Sequence, residues 1–265
     1  MRKLGIAVLA VGAIATTLAV SGAARADHSW STYHWARTSN PFTLRVIDSV
    51  TNFWQFEFET ALSEWSNATQ QSPIRLTKAS SDDTSRTRRQ CRASAGQIRV
   101  CNDAYGLNGW LGLATIGIDS RGHIDRGTAK MNDSYSSYWA DPNEQRHVMC
   151  QEIGHLFGLG HTSEDGSSQN TCMDYSRSPT SISPNAHDYE QLLTIYQHLD
   201  TYNSYTTSSA AAPTPKTVPA DLPPGVPLGA LLVHTSQFED VYVMGRPDGG
   251  GWWIFHVRIA PEGAR

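Results

Sequence analysis

Residues 150–161, CQEIGHLFGLGH, carry the side chains of this chain best suited to chemistry. Glu152, His155 and His161 place a carboxylate and two imidazoles at short spacing. Imidazole nitrogens are good donors for zinc. A carboxylate beside such a site can take a proton from a water that the metal acidifies. Positions 151 and 155 are one helical turn apart and project from the same face of a helix. Gly158 is free to adopt the left-handed conformation that stops a helix, and the turn can then swing His161 back toward His155. The position one turn before His155 holds Gln151, whose amide oxygen is a neutral and weaker donor than imidazole. The expected metal set is Gln151, His155 and His161, with Glu152 as general base. Three completions stay open: ligation by the Gln151 oxygen, a shell closed by Tyr175, Asp174 or water, or a metal-poor and silent site. His147 lies two turns, about 12 Å, from His155 along the axis, too far to share an ion with it.

These residues need a scaffold. Residues 42–47 alternate as a strand. Trp54, Phe58, Ala61, Leu62 and Trp65 recur at helical spacing, a core stripe with Asp48, Ser49 or Thr51 as its cap. Ser72-Pro73 ends that helix. Residues 74–78, 97–101, 110–118 and 127–132 read as further strands, the last suited to an edge. Residues 80–92, with Arg86, Arg88, Arg89 and Arg92, read as a solvated loop. From Asp141-Pro142 the pattern is helical through His147, Val148, Ile153 and Leu156. Cys172-Met173-Asp174-Tyr175 follows a polar loop. Residues 183–185 open a last helix, with Tyr189, Leu192, Leu193 and Tyr196 on one side.

This order of elements resembles that of the metzincin zinc peptidases. Glu152, His155, Gly158, His161 and Met173 carry the resemblance, which covers about residues 42–199. It implies an α+β fold: a twisted, mostly parallel five-stranded sheet, an active-site helix, a methionine turn and a C-terminal helix, with a cleft between a larger upper and a smaller lower part. The strands of residues 110–132 are similar to the matrixin-like branch. The resemblance implies a secreted zinc-dependent endopeptidase acting on protein or peptide substrates. Glu152 would pass its proton to the leaving amine, and Met173 would form a floor beneath the metal. Tyr175 stands two residues after Met173, a spacing similar to the astacin-like and serralysin-like branches, where such a tyrosine binds the metal or the oxyanion. It is the second expected catalytic residue, unless it only packs. The alternative function is a weak or inactive pseudopeptidase that binds peptides or a protein partner in the cleft. Matrixins carry a pro-segment with a metal-blocking cysteine. Residues 27–42 have no cysteine and no room for one, so no activation step beyond signal cleavage is expected.

Residues 1–26 read as a secretory signal peptide, with Arg2 and Lys3, an apolar run over 4–20 and Ala24-Arg25-Ala26. The run is short for a span, so an extracellular chain without membrane contact is expected. Its removal takes away Arg2, Lys3 and Arg25, leaving 18 Lys+Arg against 25 Asp+Glu, a charge near −7. That balance argues against non-specific nucleic-acid binding. The remaining chain divides into a peptidase-like domain (27–205), a Ser/Ala/Pro-rich linker (206–225) and a small β-rich tail (226–265). The tail has strand-like runs at 231–234, 241–244 and 252–257 and a glycine-rich turn at 248–251. Four cysteines in an exported chain suggest two disulfides. Cys91–Cys101 would close a short loop, and Cys150–Cys172 would tie the ligand helix to the segment under the metal. Zinc is the expected cofactor. Asp119, Asp125 and Asp133 are suitable donors for a structural calcium, although no spaced calcium motif is present. The expected assembly is a monomer.

Overall fold

Alternating burial along the first strand, with Phe42, Leu44 and Val46 turned inward, seeds a sheet that crosses the whole molecule. The computed structural model describes residues 28–80, 83–206 and 226–264 except 228 and 248. The expected signal peptide, and all but the first residue of the expected linker, lie outside the described residues.

The elements are β1 (Phe42–Ser49), α1 (Gln55–Trp65), β2 (Ile74–Ser80), α2 (Ser85–Gln90), β3 (Gln97–Asp103), β4 (Trp110–Asp119), β5 (Ile124–Asn132), α3 (Pro142–His155), α4 (Ala186–Ile195), β6 (Leu231–Thr235), β7 (Glu239–Gly245) and β8 (Gly251–Ile259). One sheet holds all the strands in the order β2-β1-β3-β5-β4-β8-β7-β6. Pairing is parallel from β2 through β1 and β3 to β5, and antiparallel from β5 through β4, β8 and β7 to β6.

Several expectations need correction. The sheet has eight strands, not five, and four of its seven pairings are antiparallel. The difference comes from the tail, whose β8 pairs with β4 from Trp110↔Ile259 to Asp119↔Gly251. β5 is internal, with β3 on one side and β4 on the other. The arginine loop contains a short helix, α2, started by Thr84 accepting from the Thr87 N–H at 3.3 Å. Arg88 and Arg89 turn toward Asp103, at 3.7 and 3.2 Å. α1 begins later than its expected caps, at Gln55, while Asp48 accepts from the Val50 N–H and the Gln55 amide.

α1 and its N-cap residue Trp54 bury the expected stripe, Trp54, Phe58, Ala61, Leu62 and Trp65. Trp65 is fully buried, and its indole N–H donates to the Cys150 carbonyl at 3.0 Å, locking α1 onto α3. Truncating such a side chain costs ~3–5 kcal/mol. α3 starts where Asp141 accepts from the Asn143 N–H at 2.9 Å and Pro142 takes the first turn, where no N–H is needed. Both expected disulfides are present, Cys91–Cys101 and Cys150–Cys172. The second fastens α3 to the segment that carries Met173. Among the described residues no helix is long and apolar enough to cross a membrane.

Candidate metal centre

α3 ends at His155, and three tight turns carry the chain to Gly158, whose φ is +94°. A Cβ there would meet the Tyr33 carbonyl oxygen at 2.1 Å, so glycine is required both for its dihedral and for this approach. The reversal brings His161 back onto α3. His155 Nε2 and His161 Nε2 face each other at 3.1 Å. His155 Nδ1 donates to the Leu159 carbonyl at 2.9 Å, and a carbonyl only accepts, so Nε2 carries the lone pair. That is how a ligating imidazole is commonly oriented. Beneath α3, a Cβ at Gly154 would meet Met173 Sδ at 2.6 Å and Trp65 at 2.8 Å, so Met173 packs directly under the helix.

Glu152 is 1% exposed, and neither of its carboxylate oxygens has a side-chain hydrogen-bond partner among the described residues. It lies against β4 at Gly112, where an added Cβ would meet its Oε1 at 2.3 Å. Burial pushes its pKa up to about 8; Arg258 opposes that rise and Glu239 adds to it.

Gln151 does not join the histidines. Its Nε2 donates to the Asp174 carbonyl at 2.9 Å, and its Oε1 accepts from the Arg258 guanidinium. Both polar atoms are committed, and a cation beside that guanidinium would be repelled. The Gln151 oxygen expected to face a metal is occupied in this structure by Arg258, which the tail delivers. His147 belongs to the same polar knot, with Nε2 2.8 Å from the Asp174 carbonyl oxygen. Tyr175 does reach the site. Its hydroxyl lies 3.3 Å from His161 Nδ1, and its ring stacks on Phe238 at 5.0 Å between centroids. Burial, reinforced by the charge of Glu239, holds its pKa well above the usual phenol value, so it stays neutral.

The suggested calcium donors are engaged elsewhere. Asp119 accepts from the Arg121 and His123 N–H groups and from the Tyr202 hydroxyl. Asp125 pairs with Arg126 and Arg246. Asp133 accepts from Trp54 Nε1 and the Asn102 amide. They do not converge on a common point.

Two residues that the sequence reading passed over complete the cluster. Glu239 of β7 is 1% exposed; its Oε1 lies 3.9 Å from His155 Nε2, and its Oε2 lies 3.2 Å from His161 Nδ1. His256 of β8 stacks on His155 at 4.3 Å and places Nδ1 2.9 Å from Glu239 Oε1. One ligand atom from each of His155, Glu239 and His256 falls within 4.8 Å of the others. Burial alone would keep His161 neutral, yet Glu239 and Glu164 beside it raise its pKa to about 9. Burial likewise opposes the Glu239 carboxylate, but His161 and His256 hold its pKa well below the ordinary range. His155 is kept neutral by burial and by its histidine neighbours.

The residues fit a divalent cation. His256 Nε2 has no hydrogen-bond partner and neither Glu152 oxygen has a side-chain partner among the described residues, although all are buried. Unsatisfied groups of this kind are costly, and a shared cation would satisfy several at once. The one sequence signal for the added pair is the alternation of β8, which places His256 and Arg258 on the same face as apolar Ile254.

No family model matches the chain, and no curated protein matches it. Among solved structures the chain is similar to an archaemetzincin from Methanopyrus kandleri, with 17% sequence identity, 59% of this chain and 96% of that chain covered, and a TM-score of 0.36.

Proposed function

We propose that this chain is a zinc-dependent endopeptidase acting on protein or peptide substrates outside the cell, with Glu152 as general base and His155 and His161 as central ligands. The observation that carries this reading is the meeting of two imidazole Nε2 atoms at 3.1 Å beside a buried carboxylate with no side-chain hydrogen-bond partner. Bound zinc would acidify a water and polarise the scissile carbonyl. Glu152 takes the proton at its carboxylate and delivers it to the leaving amine. A nearby positive charge brings its raised pKa back down. Tyr175, a neutral phenol at the edge of the site, donates a hydrogen bond where negative charge develops. The two disulfides fit an oxidising compartment. The run of β4 and β5 into α3 supports the matrixin-like branch as the finer assignment.

A second reading has one observation in its favour. β8 lies along the length of β4 and the tail roofs over Glu152, which suits a metal-holding relative that does not hydrolyse peptides. One experiment separates the two. Zinc content of the dialysed full chain is measured by plasma mass spectrometry, and cleavage of unfolded casein is followed for the native chain and Glu152→Ala. The peptidase reading expects one zinc per chain in both, and a loss of at least ~10²-fold in cleavage for the variant. Zinc without Glu152-dependent cleavage establishes the second reading. Absence of zinc from the native chain overturns both.

A further inference from the structure

We propose that the C-terminal hairpin is part of the metal centre, with Glu239 of β7 as the protein ligand that replaces the residue at 151 and His256 of β8 as a further donor. This rests on the metal reading above and names the rest of its ligand set.

The geometry begins with strand register. Ala114 of β4 stands opposite His256 of β8, and His256 stands opposite Val241 of β7. Gly112, Arg258 and Glu239 form the neighbouring row. Side chains two residues apart on a strand share a face, so His256 and Arg258 point the same way, as do Glu239 and Val241. The β4 positions in these rows are glycine and alanine, which leaves depth for the hairpin's long polar side chains to reach α3. Arg258 reaches Gln151 and removes it from the ligand position, while Glu239 and His256 reach His155. The same strand pair that takes away the expected donor thus supplies two others.

The donor spacings suit zinc. His155 Nε2 is 3.1 Å from His161 Nε2 and 3.9 Å from Glu239 Oε1. Donors of a tetrahedral zinc with bonds of ~2.0–2.1 Å stand ~3.3 Å apart; ligand atoms of His155, Glu239 and His256 lie within 4.8 Å of one another, as do those of His161, Glu164 and Glu239. A set of imidazoles and one carboxylate is borderline in softness and suits zinc better than calcium or magnesium. Glu239 is a carboxylate 1% exposed whose two oxygens already face imidazoles, Oε1 toward His256 at 2.9 Å and Oε2 toward His161 at 3.2 Å. Phe238, next to it, stacks on Tyr175, and His234 Nε2 lies 2.8 Å from Glu164 Oε2, so both sides of the β6–β7 turn are fixed against the segment that follows His161.

The test uses the full chain with zinc and cobalt(II) as the only probes. Zinc affinity is measured by competition with a chromophoric chelator for the native chain, Glu239→Gln, His256→Gln, Gln151→Ala and His155→Ala. Visible spectra of the cobalt(II) forms report the ligand set, and melting of the metal-free proteins reports the fold. Glu239→Gln and His256→Gln keep side-chain volume but break buried Glu239–imidazole contacts, so affinity is read on variants whose metal-free melting shows them folded. We expect each to weaken zinc at least ~10-fold and to change the cobalt(II) bands, with Gln151→Ala within ~3-fold of the native chain. Native affinity and an unchanged spectrum in both hairpin variants, with loss in His155→Ala, would overturn the hairpin's role and leave the metal reading standing. No zinc or cobalt(II) on the native chain would overturn the metal reading itself.

Discussion

Glycine at 112 is what lets Glu152 lie against β4. An added Cβ would meet its carboxylate at 2.3 Å, at a point where the β4–β8 register is already irregular. Gly112→Ala is therefore expected to cost ~1–3 kcal/mol of stability by overpacking. It should lower casein cleavage by ~10²-fold through displacement of the base, with zinc content retained. Native melting and native turnover in that variant would show that Glu152 has slack. The residue level was only half legible in the sequence. Spacing along one helix and one glycine turn brought His155, His161 and Glu152 together, because those relations are local. The fate of Gln151 depended on Arg258, more than a hundred positions away. No local pattern could reveal that a guanidinium would claim the amide.

The elements are held by contacts of a second kind, seen where the start of the described chain meets α4. His28 Nε2 lies 3.7 Å from Asp188 Oδ1, both side chains fully enclosed. Asp188 also builds the capping box of α4 with Asn185. Burial, aided by His187, lowers the His28 pKa to about 4, and burial raises that of Asp188 to about 6. The two act in opposite senses. The depressed histidine contributes stability that is present above its unfolded pKa of 6.5 and lost as pH falls toward 4. The raised carboxyl contributes stability that is present below 3.8 and lost as pH rises through 6. At pH 5 the folded pair and the unfolded pair each hold one proton, so their contributions nearly cancel. His28→Gln should expose the carboxyl alone, and denaturant unfolding should then show stability falling by ~2 kcal/mol, relative to the native chain, from pH 4 to 6. Asp188→Asn should tilt the profile the other way by a similar amount. Parallel profiles in all three proteins would remove the pairing. The strands and main helices were legible from their alternation, helical periodicity and breakers. The exception was α2, a six-residue helix of Ser, Thr, Arg and Gln with no apolar stripe to announce it.

Over the whole molecule, the tail changes the meaning of the rest. Residues 226–264 carry their own turn and strand signals, and these lead to a hairpin as expected. Where it docks is a non-local matter: β8 completes its hydrogen bonding on β4, whose edge the main sheet leaves free. That pairing turns a five-strand expectation into an eight-stranded, mostly antiparallel sheet. It also seals the site with Val241, Ile254 and the charged groups described above. An incoming peptide strand would have to share or displace the β4–β8 pairing. Closure and ligation are thus two consequences of one pairing. The most direct measurement is anomalous scattering at the zinc edge from crystals of the full chain grown with zinc at neutral pH. A single peak between His155, His161 and Glu239, with Gln151 still hydrogen-bonded to Arg258, is the predicted result. No peak there under saturating zinc, or a peak coordinated by the Gln151 oxygen, would contradict it.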